Sequence, residues 1–198
     1  LILMAIARAL QAAHDEGVVH RDVRPANILF GRDGVPRLAD FGIALVRGAE
    51  RVTTVGERVG RPVYLAPELK RGLDADPRAD LYALGVTGCE LLTQNLPQQF
   101  PDGVRCPAIG LDRTLDPDRR RQGLQHAAVA QLIHGLLATD PLKRYQSAGE
   151  FLSRAEITLA ELDRTGSFSQ LGAGYLRLLA QVIFGNGPAM RSSAVQAR

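Results

Sequence analysis

Three oxygen-bearing side chains, Asp22, Asn27 and Asp40, have the types and spacing that could carry out chemistry. Asp22 and Asn27 stand five positions apart in a segment, residues 20–27, that Pro25 keeps from being helical. Apolar residues lead into and out of this segment, which predicts a loop anchored to the core. A carboxylate and an amide held rigidly in such a loop could act as a general base and a metal ligand.

The residues that follow predict a β-hairpin that would return Asp40 to Asn27. Residues 28–39 form two short strand-like runs around an Asp-Gly turn at 33–34. Asp22, Asn27 and Asp40 would then converge on one point. Hard oxygen ligands, completed by phosphate oxygens and water, are what Mg²⁺ prefers. The alternative, a capped loop without chemistry, stays open, because Asp and Asn in loops are commonly caps or turn formers.

Three short motifs, in this order along the chain, resemble those of protein kinases. Residues 20–27 are similar to the catalytic loop H-R-D-L-x-x-x-N, residues 40–42 match D-F-G, and residues 66–68 match A-P-E. The resemblance covers residues 1–163 and is strongest to the bacterial eukaryotic-type (Hanks-type) serine/threonine kinases. It implies an α+β, mainly α-helical fold: a kinase C-terminal lobe with a short β-hairpin after the catalytic loop.

The resemblance also implies catalytic roles. Asp22 would accept the proton of a substrate hydroxyl, and Asn27 and Asp40 would hold the Mg²⁺ that bridges the phosphates of ATP. Arg24 stands where these kinases usually carry Lys, and Arg61 where they usually carry Thr. Two guanidinium groups would therefore approach Asp22, so efficient catalysis is an open question.

The segment between D-F-G and A-P-E carries two adjacent threonines. Thr53 and Thr54 are expected phosphorylation sites, and the added charge could bind Arg21. The alternatives, two ordinary loop threonines and a surface ion pair at Arg21, stay open.

Four further residues are expected to have structural roles. The resemblance implies that His20 packs beside Phe41 and that Arg144 pairs with Glu68. Asp80 opens a helix that is apolar nearly all round, a position suited to an N-cap. The resemblance implies that Asp80 accepts hydrogen bonds from the catalytic-loop backbone, and the two roles are compatible.

Two classes of function follow. The nucleotide-covering half of a kinase needs a Gly-rich loop and a Lys before the catalytic loop, and residues 1–19 contain neither. The N-terminal lobe is therefore expected to be absent, which makes the chain part of a longer serine/threonine kinase. The alternative is an inactive truncated kinase or pseudokinase that binds proteins. A small-molecule phosphotransferase is disfavoured by residues 66–68 and Arg144, which belong to the protein-kinase pattern.

Charge, cysteine positions and hydrophobicity limit the partners and the cellular location that are expected. The net charge is +3, and the basic run at 119–121 has no interleaved aromatic residues, so no nucleic-acid surface is expected. Cys89 and Cys106 form no C-x-x-C pair, which fits a reducing, cytoplasmic location. Residues 175–184 are apolar but too short to span a bilayer. The expected partners are protein substrates, ATP and, as a further option, a second kinase chain in a dimer.

Hydrophobic periodicity and the Gly and Pro positions predict the remaining elements. These are a helix over 1–16 ended by Gly17, a buried helix over 80–92, an irregular loop over 97–118, an amphipathic helix over 129–137 and a closing helix over 151–162. Residues 1–163 are expected to form the kinase domain, and residues 164–198 a linker and a short apolar segment that is partly disordered.

Overall fold

The computed structural model describes residues 1–41, 45–46, 62–100, 103–106 and 128–164, which lie in one compact unit, Leu1–Ser167. Within these ranges the fold is mainly helical, with short antiparallel strand pairs. The elements in chain order are α1 Ile2–Asp15, β1 Val18–Val19, β2 Ile28–Phe30, β3 Pro36–Leu38, β4 Leu45–Val46, α2 Pro67–Lys70, α3 Pro77–Thr93, β5 Gln98–Phe100, β6 Gly103–Arg105, α4 128–136 and α5 Ala148–Arg164. The predicted linker and apolar segment after residue 164 lie outside the described residues.

Helix α1 follows the predicted apolar spacing. Ile6 and Leu10 are fully buried on the face that meets α3 and α5. The helix ends beside Gly17, which has a φ of +74° and whose N–H donates to the carbonyl of His14 at 3.0 Å. A left-handed residue after the last turn favours glycine, which has no Cβ to clash. The predicted end of the helix is therefore confirmed to within a residue or two.

Helix α3 is the central element of the core, and its start differs from the prediction. The N-cap is Asp76, whose side chain accepts a hydrogen bond from the N–H of Arg78 at 2.8 Å, and Pro77 occupies the first turn. Burial raises the pKa of Asp76, but hydrogen bonds from the Arg78 side chain and backbone outweigh it and lower the pKa overall. The interpretation of Asp80 as the N-cap is wrong, because Asp80 lies within the first helical turn.

The contact between α3 and α4 depends on Gly85. A Cβ placed there would lie 2.7 Å from the Cβ of Leu136 and 3.2 Å from its backbone carbonyl carbon. We expect Gly85→Ala to lower the free energy of unfolding by about 1–3 kcal/mol, because a backbone atom cannot move aside as a side chain can. Urea denaturation would measure the loss.

The matched control for this change is Gly149→Ala in α5. There the nearest atom to a new Cβ is Oε1 of the flexible Gln11 side chain, at 3.2 Å. We expect this variant to stay within about 0.5 kcal/mol of the parent chain. Equal stabilities of Gly85→Ala and Gly149→Ala would show that α3 and α4 do not pack closely.

The predicted hairpin after the loop is present. Strands β2 and β3 pair antiparallel, with Ile28 opposite Leu38, and the turn places Gly34 at a φ of +71°. At the turn, the exposed Asp33 accepts hydrogen bonds from the Arg37 side chain and the backbone, which lower its pKa to about 2.

A second hairpin was not expected. Residues 97–118 were predicted to be an irregular loop, but β5 and β6 pair antiparallel in the part that the structure describes. Residues 107–118 lie outside the described ranges. No helix within those ranges combines the length and apolar character needed to traverse a bilayer.

Candidate active site

The backbone of the predicted catalytic loop is held by one buried carboxylate. Asp80 accepts a hydrogen bond from the N–H of His20 at 2.8 Å and another from the N–H of Arg21 at 2.7 Å. Arg21 has a φ of +69°, a left-handed conformation that is uncommon outside glycine. Because Asp80 is fully buried in α3, it fixes this strained turn to the core.

Sequence reasoning missed a third partner of the same carboxylate. Nε2 of His14, near the end of α1, lies 2.8 Å from Oδ2 of Asp80, and both side chains are nearly inaccessible. His14 lies near the end of the helix predicted over 1–16, but the sequence gave no signal that connected it to a residue 66 positions away. The contact joins the end of α1 to the anchor of the loop.

His20 lies in the position that the resemblance implied. Its ring is fully buried, and it meets the Phe41 ring edge-on with centroids 4.5 Å apart. Nδ1 accepts a hydrogen bond from the N–H of Asp22 at 3.3 Å, and Nε2 lies 2.9 Å from the carbonyl oxygen of Ala39. This pattern assigns the ring proton to Nε2, which donates to Ala39. With both nitrogens engaged, the imidazole packs and orients the loop.

The structure brings Asp22 and Asn27 together. Nδ2 of Asn27 donates to the carboxylate of Asp22 at 2.9 Å and to its backbone carbonyl at 2.8 Å. Residues Pro25–Asn27 form one turn of 3₁₀ helix, which begins at Pro25 and folds the chain back so that Asn27 reaches Asp22. Since the amide nitrogen faces Asp22, the Oδ1 of Asn27 points the other way and is the atom suited to a cation.

The β2–β3 hairpin brings the backbone just before Asp40 back to Asn27. The N–H of Ala39 donates to the carbonyl of Asn27 at 2.8 Å, so Asp40 is the next residue beyond the pairing. Asp40 is exposed and has a φ of +62°. Asn27 and Asp40 therefore offer one amide oxygen and one carboxylate from adjacent backbone positions, a donor set that fits Mg²⁺ when phosphates and water supply the other ligands. No cluster of three or more His, Cys, Asp or Glu side chains suited to a metal occurs among the described residues.

A buried ion pair joins two distant segments of the chain, at Glu68 in α2 and at Arg144 before α5. Nη1 and Nη2 of Arg144 donate to the two carboxylate oxygens of Glu68 at 2.8 and 3.1 Å. The guanidinium also donates to the carbonyls of Ala138 and Arg78 and lies 5.2 Å from the centroid of the Tyr82 ring. The pair implied by the resemblance is thus present, and it is buried on both sides.

A further contact was not predicted. The hydroxyl of Tyr64, just before α2, donates to a carboxylate oxygen of Glu90 in α3. Tyr64 is buried, and Glu90 is the one acidic residue in the C-terminal half of an otherwise apolar helix. A single carboxylate in this apolar part of the helix was the sequence feature that could have indicated the contact. The contact ties the segment before α2 to the same helix that anchors the loop.

Comparison with known proteins identifies the family. The protein kinase domain matches residues 1–154, more than three-quarters of the chain. The chain belongs to the protein kinase family. The curated relatives that it matches include bacterial serine/threonine kinases, which agrees with the Hanks-type resemblance of the motifs.

Three relatives from Mycobacterium tuberculosis illustrate the similarity. Serine/threonine-protein kinase PknJ is 37% identical over 165 residues, which cover 80% of this chain and 28% of PknJ. PknH is 38% identical over 164 residues, covering 82% and 26%. PknA is 37% identical over 150 residues, covering 76% and 34%. This kinase chain therefore spans about a quarter to a third of the length of these relatives.

Two arginines assigned by the kinase resemblance, Arg24 and Arg21, lie in the loop itself. Arg24 is partly buried and caps the 3₁₀ turn in an extended conformation. The Nε of Arg21 is buried and has no hydrogen-bond partner among the described residues. Thr53, Thr54 and Arg61 lie outside the described residues.

Proposed function

We propose that this chain supplies the base and the metal ligands of a serine/threonine protein kinase, which transfers the γ-phosphate of ATP to protein hydroxyls. The observation that carries the proposal is the contact between Asn27 and Asp22, in a loop whose backbone is anchored by Asp80. The same loop is paired with the residue before Asp40, since the carbonyl of Asn27 accepts a hydrogen bond from the N–H of Ala39, and this supports a metal site next to the base.

In this proposal each polar side chain has a defined role, and Asn27 has two. Asp22 accepts the proton of the substrate hydroxyl, and Asn27 keeps that carboxylate oriented. The oxygens of Asn27 and Asp40 hold Mg²⁺, which neutralises charge on the phosphates of ATP. Arg24 would meet the transferred phosphoryl group, as a cation in the usual lysine position.

The proposal includes the extent of the domain. We infer that residues 1–163 form the C-terminal lobe of the kinase domain, with the nucleotide-covering lobe supplied by another segment of the parent protein. The support is that no Gly-rich loop precedes His20 and that the first lysine is Lys70. Protein substrates and ATP are the proposed partners, and the cytoplasm, where ATP is available, is the proposed location.

Regulation by phosphorylation is part of the same proposal. We propose that phosphorylation of Thr53 or Thr54 provides an anion for Arg21. The support is the buried Nε of Arg21, which has no hydrogen-bond partner in the described part of the chain. A guanidinium with an unsatisfied donor binds a phosphate strongly.

A phosphotransfer assay tests the function. The parent protein that contains this chain is incubated with Mg²⁺, γ-labelled ATP and a generic protein substrate, and the labelled residues are identified by mass spectrometry. We expect label on Ser and Thr, none without Mg²⁺, and a loss of about 100-fold or more in Asp40→Asn, since metal-assisted charge neutralisation dominates this reaction. Asp33→Asn, an exposed carboxylate in the same hairpin, should match the parent.

The assay also separates the two functional classes. A parent protein that transfers no phosphate, but folds and binds other proteins, would overturn the enzyme proposal and favour a pseudokinase. Arg24 and Arg61 favour that second class, because the kinase resemblance implies a lysine and a threonine at these positions and arginine is not equivalent to either.

A further inference from the structure

Two cysteines that are far apart in the sequence lie side by side in the core. The sulfur of Cys89, in α3, lies 2.6 Å from the sulfur of Cys106, which follows β6. Both are thiols in the structure, and Cys89 is fully buried while Cys106 is 6% exposed. Their separation of 17 positions matches no metal-binding or redox motif, so the sequence alone gave no sign of the contact.

The surroundings hold the Cys89 sulfur in place. The hydroxyl of Thr93 lies 2.8 Å from the carbonyl oxygen of Cys89 and 3.0 Å from that of Asn95. The Cys89 sulfur itself lies 3.5 Å from the carbonyl oxygen of Asn95. These contacts order the end of α3, so the sulfur that faces Cys106 belongs to a fixed part of the fold.

We propose that Cys89 and Cys106 form a reversible disulfide when the protein meets a hydroperoxide. The bond would link α3 to the residue after β6 and would enclose the β5–β6 hairpin in a covalent loop. This modification site is independent of phosphoryl transfer, because it rests on the thiol contact alone.

The chemistry balances with hydrogen peroxide as the two-electron oxidant. The Cys106 thiol releases its proton and the thiolate attacks a peroxide oxygen. The O–O bond breaks, the hydroxide that leaves takes up the thiol's proton, and a sulfenic acid and one water result. The sulfur of Cys89 then attacks the sulfenic sulfur, its proton leaves with the hydroxyl group as a second water, and the S–S bond forms. Two thiols are oxidised and one peroxide is reduced.

The two sulfurs differ in the way that this order of steps requires. The hydrogen bond between them lowers the pKa of Cys106, with a smaller contribution from the Thr93 hydroxyl, and the same contact, with burial, raises the pKa of Cys89. Cys106 is also the more exposed of the two. The thiolate is the reactive form of cysteine, so Cys106 is the sulfur that peroxide meets first.

The crosslink would lie beside a contact of the candidate active site. Cys89 precedes Glu90, whose carboxylate accepts the hydrogen bond from Tyr64. The closed loop removes freedom from the unfolded chain. We therefore expect the oxidised form to melt roughly 5–10 °C above the reduced form.

Thiol trapping followed by mass spectrometry tests the proposal. The chain is treated with hydrogen peroxide, unfolded, alkylated with iodoacetamide and digested. We expect the peptides of Cys89 and Cys106 joined, with the mass of two hydrogens lost and neither cysteine alkylated, and full alkylation after dithiothreitol. Full alkylation without the reductant, a sulfinic acid on Cys106, or disulfides between chains would each overturn the proposal.

Two controls keep the test independent of mutant folding. Cys89→Ser and Cys106→Ser each leave one thiol, so peroxide should produce no intramolecular crosslink and no rise in melting temperature. The unmutated chain treated in concentrated urea is the second control, and it should crosslink at least about 10-fold more slowly, because the fold supplies the proximity. Equal rates in urea and buffer, or an oxidised form that melts no higher, would contradict the proposal.

Discussion

Asp22→Asn in the parent kinase is expected to lower the rate of phosphoryl transfer by about 10²–10⁴-fold, the usual contribution of a positioned general base. The substitution is nearly isosteric, and the new amide oxygen can still accept the hydrogen bond from Nδ2 of Asn27. What it loses is the capacity to take a proton from the substrate hydroxyl. The effect should therefore fall on kcat, while binding of Mg²⁺-ATP changes little.

Two measurements separate this effect from general damage. Calorimetry with Mg²⁺-ATP should give similar affinities for Asp22→Asn and the parent kinase, whereas Asp40→Asn should weaken binding because it removes a proposed metal ligand. Asp15→Asn, an exposed carboxylate at the end of α1 that contacts Gln11, should leave both quantities unchanged. Retention of the full transfer rate in Asp22→Asn would eliminate this residue as the base.

Arg144→Ala is expected to cost about 3–5 kcal/mol of unfolding free energy, because it leaves the buried carboxylate of Glu68 without its cation. The carbonyl of Ala138 also loses its donors, and the Tyr82 ring loses the cation beside it. A loss of this size is a large part of the stability of an ordinary domain. Urea denaturation, or the soluble yield if the variant does not fold, would report it.

An exposed ion pair of the same type provides the control for this prediction. Arg8 and Glu156 form an ion pair of similar type at 3.2 Å, but both side chains are more than half exposed, so Arg8→Ala should cost at most about 1 kcal/mol. Adding Glu68→Gln to Arg144→Ala should restore part of the loss, since the buried charge is then removed. If Arg144→Ala and Arg8→Ala cost the same, the buried pair does not have the role assigned to it.

The elements that the sequence predicted well are those specified by local chemistry. The β2–β3 hairpin follows from the Asp-Gly turn, and the end of α1 follows from Gly17, because both need a left-handed residue at a defined place. Helices α4 and α5 follow from apolar spacing. Each of these signals lies within a few residues of the feature that it specifies.

The features that the sequence predicted poorly have local signals that are short or that compete with a stronger apolar pattern. The start of α3 was placed at Asp80 because the apolar run begins there, although Asp76 and Pro77 form a capping signal just before it. Strands β5 and β6 have three residues each, too few for a periodic pattern.

Within the candidate site, too, some contacts could be predicted from the sequence and others could not. The pairing of Asp22 with Asn27 could be expected from their spacing around Pro25 and from the kinase resemblance. The contact between His14 and Asp80, and the left-handed backbone at Arg21, could not be expected, because they arise only when α1 and α3 are packed together. Motifs name the reactive groups, whereas tertiary packing sets the distances between them.

The hydrogen bonds to the Asp80 carboxylate determine which parts of the molecule can open locally. It binds the backbone of His20 and Arg21 and the ring of His14, so the loop and the end of α1 are both held by one group inside the central helix. Opening of the loop alone would leave the buried Asp80 carboxylate without two of its hydrogen bonds, which is unfavourable. The loop and the helix should therefore open together as a single cooperative unit, and the geometry of the site persists for as long as the core itself stays folded.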